Sequence, residues 1–280
     1  MRFLMKIIYT HTLTILFVFL LACSSENDNV QSHLDAARKY YLQGDFALAT
    51  QEIDSIKILY PNAIEHRKAG VALLDSVRRG ENTDIIYNCD SLIKLFEPKV
   101  ENTKKMFVYQ RNKQYQEEGS YIPREQVTDH IVSTTLRSGV AESGQLYIES
   151  VFVGAQKHKK LKVSLKDGSF AETHSVTDDG LNYRFSNMGK GYEVIRFAGT
   201  DENGVGKFIF SNSDKSLMAS IGGGTGNYAY ALSQITKSAI AKSYQLSIMM
   251  IQLDSLKTEK EKAEFRIYSL DNKEKKATDL

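Results

Sequence analysis

Few residues in this chain have the types and spacing to do chemistry, and most of them resolve into packing. The histidines past the first two dozen positions are His33, His66, His130, His158 and His174, and none has HExxH or other metal-ligand spacing. Asp129-His130 has no nucleophile with a recognisable surround beside it. No catalytic, cofactor-binding or metal-ligating residue is therefore predicted, and each histidine is read as a surface or packing residue. Gly222–Gly226 (GGGTG) has the most chemical weight. A glycine-rich turn cradles phosphate when it leads into a helix N-terminus. Here it joins Leu217–Ile221 to Asn227–Leu232, two strand-like segments, and lacks the Lys-Ser/Thr ending of a P-loop. The spacing predicts a hairpin turn. Tyr183, Phe185 and Tyr192, with Arg184 and Arg196 nearby, fall at strand spacing. They read either as a core-facing stripe or as a platform for carbohydrate or peptide. The Lys157–Lys162 run (KHKKLK) reads as a solvated strand end.

The two cysteines have different surroundings. Cys89 lies among Ile85, Ile86, Leu92 and Ile93, and is predicted to be a small buried apolar residue. Cys23 ends a segment in which Arg2 and Lys6 precede an apolar run from Ile7 to Leu21. That run, roughly 15 residues, is short for a stable bilayer span, which takes about 20. Its length, its basic start and its small terminal residues fit a secretory signal peptide. Leu20-Leu21-Ala22-Cys23 resembles the bacterial lipobox. The resemblance implies that residues 1–22 are removed and that Cys23 is lipidated, becoming the first residue of the mature chain. Acylated Cys23 would leave Cys89 without an intramolecular disulfide partner. Glu26 and Asp28 loosely resemble the acidic patch after the lipid cysteine in surface-exported lipoproteins. The expected location is the cell envelope, with the outer membrane as the anchor and either the periplasmic or the surface-facing leaflet open.

Charge narrows the partners. The chain has 36 basic and 34 acidic residues, and loss of Arg2 and Lys6 with the leader brings them into balance. A neutral chain has no general attraction for nucleic acid, whose binding rests on neutralising phosphates. Membrane attachment would come from lipid on Cys23, and a protein partner in the envelope is expected beside it.

The positioning elements follow from periodicity. Residues 23–31 read as a polar tether and 32–118 as helical. Ala36, Ala37, Tyr40 and Tyr41 line one helix, Gly44-Asp45 breaks it, and Phe46, Ala49, Ile53, Ile56 and Leu59 line a second. Ala37, Tyr40, Gly44, Phe46, Ala49 and Pro61 resemble one tetratricopeptide repeat, which implies an antiparallel helical hairpin. Asn62–Arg79 predicts a third helix. From Asp84 a heptad runs through Ile86, Cys89, Ile93, Phe96, Val100, Thr103 and Phe107, with a kink or break expected at Pro98. Its partner spans residues 232–270: Leu232, Ile235, Ala239, Lys242, Leu246, Met249, Leu253, Leu256, Lys260, Ala263, Ile267 and Leu270. Coiled-coil packing within the chain is favoured over a homodimer through Leu232–Leu270. Residues 271–280 read as a polar tail. Between them, residues 119–231 shift to a period of two, in Gln145–Val153, Leu161–Leu165, Val194–Phe197, Lys207–Phe210 and Leu217–Ile221. These predict an antiparallel meander, sandwich or half-barrel.

The fold class is thus α+β: N-terminal helical hairpins and a long C-terminal helix packed antiparallel, with an antiparallel β-module inserted between them. This order resembles that of envelope lipoproteins of Bacteroides-type bacteria. The function expected is a non-catalytic scaffold or binding module rather than an enzyme. An envelope hydrolase or carbohydrate-acting enzyme is the alternative.

Overall fold

The computed structural model describes residues 28–278 apart from 115, 129–130, 132, 156, 178–181 and 188. The leader, the lipobox and Cys23 lie outside the described residues, as does His130. The architecture is the expected α+β one, with two antiparallel sheets between helical segments, and the chain divides into two compact units.

The first unit joins the residues before Leu92 to those from Lys257 onward. Helix α1 covers residues 28–42, and Gly44, at φ +80°, turns the chain into α2, Phe46–Leu59. Only glycine takes that backbone angle without strain. Ala37 and Ala49 are fully buried, and their small side chains let the helices approach, while Tyr40, Phe46, Ile53 and Val77 fill the seam. Of the expected tether, residues 28–31 belong to α1 instead, because Val30 and Leu34 pack on Ile56; residues 23–27 lie outside the described residues.

Helix α3 begins in this unit and runs unbroken from Ile64 to Lys104, where the sequence suggested two helices. Gly80, inside this helix, leaves room for the rings of Tyr41 and Phe46. A Cβ there would lie 2.8 Å from the Phe46 ring. Pro98 does not end the helix either, since it sits on an exposed position between the inward-facing Phe96 and Val100. Loss of one hydrogen bond and the ring clash cost about 3 kcal/mol in a helix interior. The flanking seam contacts offset that cost.

Helix α5, Gln234–Thr278, packs antiparallel on α3 within the chain. In the first unit Lys260 bonds Asp90 at 2.7 Å, Lys273 bonds Asp75 at 2.6 Å, and Arg79 pairs with Asp271 and Glu274. Residues 271–278 are therefore helix and not a frayed tail. Ala263 is fully buried, and Cys89 is buried as expected, which pushes its thiol pKa up.

The second unit, Leu92–Leu256, carries both sheets. Its strands are β1 Phe107–Gln110, β2 Ser120–Pro123, β3 Thr135–Ala141, β4 Leu146–Val153, β5 Lys160–Ser164, β6 Phe170–Glu172, β7 Tyr183–Asn187, β8 Lys190–Ala198, β9 Met218–Gly222 and β10 Tyr228–Ala231. The first sheet has the order β1-β2-β3-β4-β8-β7 and the second β10-β9-β5-β6, antiparallel throughout. Between them lies one core: Leu136, Ile148, Phe152, Ile195 and Phe197 from the first sheet meet Leu161, Val163, Ala219 and Ile221 from the second.

Two expectations for this unit fail. Phe107 is the first residue of β1 and not the last of a helical seam, because the chain turns at Lys105-Met106. Lys207–Phe210 belongs to a short helix, α4 Val205–Ser211, and not to a strand. Asn203 and Gly204 adopt positive φ just before it, and the Glu202 carboxylate accepts from the Gly204 and Gly206 amides, capping the first turn.

Candidate functional site

Residue alternation gives the six-stranded sheet two chemically different faces, and the register decides which side chains meet. On β4, Ile148, Ser150 and Phe152 point into the sandwich, while Tyr147 and Glu149 belong to the opposite face. Arg137 of β3 pairs with Glu149, and Glu149 pairs with Arg196 of β8, so three charges form one row across three strands. Arg137 Nη2 donates to Glu149 Oε2 at 2.9 Å. Arg196 donates through Nε and Nη2 to Glu149 Oε1, at 3.1 and 2.8 Å. The Arg196 guanidinium also lies 4.0 Å from the Tyr147 ring centroid, a cation–π contact. Gly139, the strand partner of Tyr147, lets that ring lie over the sheet, since a Cβ there would strike the phenol.

This row lies in the wall of a cavity of about 640 Å³. Residues 109–112 and Gln116, with Ser120, Ile122, residues 126–128 and Ser138, complete the lining. Gln126 has a structural part: its amide donates to the Leu136 carbonyl at 3.1 Å and accepts from the Ser138 amide at 2.8 Å. It occupies the edge of β3 that β2 leaves unpaired. Burial pushes the Tyr147 phenol up, and the nearby Glu149 charge adds to that. For Arg196, burial disfavours the charge, but Glu149 outweighs it and holds the guanidinium above its ordinary value.

The inner face holds a second polar group. His158 Nδ1 lies 2.5 Å from Glu193 Oε2, its Nε2 2.9 Å from Ser150 Oγ, and its backbone amide donates to Glu193 Oε2 at 2.9 Å. Arg184 Nε donates to Glu193 Oε1 at 2.5 Å. Burial alone would push the Glu193 carboxyl up; hydrogen bonds from His158 and Arg184 outweigh it and hold it below the usual carboxylate range. Serine, histidine and glutamate in this order have the connectivity of a hydrolytic triad. Ser150 is fully buried and His158 and Glu193 are 1% and 3% exposed, so no substrate atom reaches the hydroxyl. Here the group fastens the chain before β5 to the neighbouring sheet.

The sequence sets Arg184 and Arg196 beside the same aromatic stripe, yet they serve opposite faces of the sheet. Phe185 and Tyr192 stack at 4.8 Å and 6°, with Tyr183 5.4 Å from Phe185, on the face that bears Arg196. Arg137, Ser150 and Glu149 gave no signal. Their cue is the strand register, which one sequence does not specify.

The glycine loop joins β9 to β10 as expected. Lys157 and Thr225 exchange two hydrogen bonds, at 2.9 and 3.1 Å, and Lys159 donates to Gly222 at 2.8 Å. A Cβ on Gly224 would collide with the Lys157 carbonyl. Gly224 therefore permits close backbone approach, and the loop buttresses the segment that carries His158. In the first unit, a more apolar groove of about 600 Å³ lies between α2 and α3, lined by Ile53, Ile64, Val71 and Leu74 with Lys57 and Arg78 at its edge.

Among the described residues no three His, Cys, Asp or Glu side chains cluster to hold a metal ion, and no helix is long and apolar enough to cross a membrane. No protein family, curated protein or solved structure matches this chain.

Proposed function

We propose that this protein is a lipid-anchored lipoprotein of the cell envelope acting as a non-catalytic binding module, with the cavity on the outer face of the six-stranded sheet as its ligand site. The cavity carries the reading. Its floor offers fixed guanidinium groups and its walls offer amides and hydroxyls, groups that bind and orient but supply no activated nucleophile. The anchor half of the proposal rests on Leu20–Cys23.

Hydrogen–deuterium exchange on the full-length protein in detergent tests the site. Solubilised envelope material should protect β3, β4, β8 and residues 109–128. Protection confined to α1–α3, or none, would overturn the assignment. Replacement Cys23→Ala tests the anchor: metabolic fatty-acid label should vanish from the mutant, and equal label in both proteins would end that half.

A hydrolase reading has one observation in its favour, the Ser150–His158–Glu193 connectivity. It requires the two sheets to part, since all three side chains lie inside the core.

A further inference from the structure

Taking that cavity as the ligand site, we infer that its ligand is an acidic saccharide, a hydroxylated ring bearing a carboxylate. Three observations converge. The first is charge: the lining holds Arg111, Arg137 and Arg196 against Glu149 alone, an excess of positive charge in a chain that is otherwise nearly balanced. Glu142, which accepts from the Gly119 amide and the Tyr109 phenol close by, is not part of the lining.

The second is unused donor capacity. A guanidinium has five N–H donors. Glu149 occupies two nitrogens of Arg196 and one of Arg137. Arg137 Nε is closed off from solvent and is not among the donors a ligand meets. Glu149 fixes the planes of both guanidiniums, and the Nη1 groups it does not engage suit a planar carboxylate, which arginine binds in a forked geometry.

The third is the rest of the wall. Gln110, Asn112 and Gln116 bring side-chain amides to the wall; the Asn112 and Gln116 oxygens accept from the Gln114 and Asn112 backbone amides, which turns their NH2 groups to donate to ring hydroxyls, a poor match for hydrocarbon. A bare inorganic anion would use the arginines and leave these amides and most of the 640 Å³ unused. Tyr183, Phe185 and Tyr192, on the same face along β7 and β8, give further rings of an oligomer an apolar surface to lie on.

Calorimetric titration of the full-length protein in detergent tests this with three probes: a short galacturonate oligomer, the corresponding neutral galactose oligomer, and inorganic phosphate. The acidic oligomer should bind at least tenfold more tightly than either of the others. Arg196→Gln should weaken it about tenfold, the size of one charge-assisted hydrogen bond. Glu149→Gln should tighten it severalfold, because the internal anion that competes for the arginines is gone. A residue with only a structural role would not give opposite signs for the two changes. If Arg196→Gln lowers the melting temperature too far to titrate, Arg111→Gln on the exposed loop should weaken the acidic oligomer in the same direction. Equal binding of acidic and neutral oligomers, phosphate binding as tightly as galacturonate, or arginine variants without effect would each overturn the inference. A neutral oligomer that binds and is lost with Arg196→Gln sinks the ligand class while leaving the site. No binding by any probe, together with no exchange protection of β3, β4 and β8, sinks both.

Discussion

The six-stranded sheet carries two arginine–glutamate groups, back to back, and the two differ in what can reach them. On the inner face Glu193 is held by His158 and Arg184, with Ser150 completing the group, and the glutamate side chain is 3% exposed. On the outer face Glu149 is held by Arg137 and Arg196, its side chain is 12% exposed, and a water-accessible cavity lies over it. Both carboxylates accept several hydrogen bonds. Arg137 and Arg196 line that cavity, whereas Arg184, itself 26% exposed, is not part of its lining. The triad-like connectivity therefore lies where access is sterically closed, and the arginines that line a cavity lie on the opposite face. Hydrogen-bond connectivity does not define a site without a route to it.

The largest expected difference between the two groups is in stability. Glu193→Ala leaves Arg184 and His158 facing a buried gap, and loss of one partner of a buried ion pair costs roughly 3–5 kcal/mol. Chemical denaturation should show that loss, while Glu149→Ala should cost about 1–2 kcal/mol, because water reaches the abandoned arginines. An equal cost at the two positions would break the comparison.

Gly224→Ala comes next. The new Cβ meets the Lys157 carbonyl, so the β9–β10 hairpin must move away from the chain that carries His158. A backbone displacement of this kind costs about 1–3 kcal/mol. The melting temperature should fall, with GTP producing no thermal shift in either protein. A saturable GTP-induced rise in wild type, lost on Gly224→Ala, would restore a nucleotide-loop role.

Acid titration gives a smaller, sharper contrast. The Glu193 carboxyl is held below its ordinary value of 4.5. A depressed carboxylate contributes stability that is fully present above the unfolded value and is lost as pH falls through the folded one. The stability advantage of wild type over Glu193→Gln should therefore shrink as pH drops below about 4.5. A difference that shrinks only above neutral pH would contradict the ion pair described. The smallest effect on folding should be that of Glu149→Gln, within about 1 kcal/mol of wild type, because the isosteric amide still accepts hydrogen bonds from Arg137 and Arg196, whose side chains are 28% and 45% exposed. Denaturant midpoints measure it directly.

What the sequence disclosed depends on which forces act locally. The α5 seam was legible because its stripe from Ala239 to Leu270 faces inward without interruption. Its first turn was not. There Ile235 is 65% exposed while Thr236, Lys237 and Ile240 are buried, since the β-unit core and not a facing helix sets the orientation. Lys207–Phe210 alternates like a strand, but the positive-φ pair Asn203-Gly204 and the Glu202 cap start a helix just ahead of it. The hairpin at Gly222–Gly226 was readable because glycine and flanking alternation act over short range. The outer row was not readable, because Arg137, Glu149 and Arg196 meet only through strand pairings across 59 residues of chain, from 137 to 196. The inner group has the same origin: His158 and Glu193 are 35 residues apart.

The central claim is that the sheet works through its outer face and that the Ser150–His158–Glu193 group is a structural fastener. Its most direct test is labelling of the native protein with a fluorophosphonate, read residue by residue by mass spectrometry. Such a reagent modifies serines that are both activated and reachable. The account predicts no adduct on Ser150 in the folded protein. An adduct on Ser150 that forms in native buffer, and disappears with His158→Ala in a variant that remains folded, would contradict it and establish a hydrolytic site.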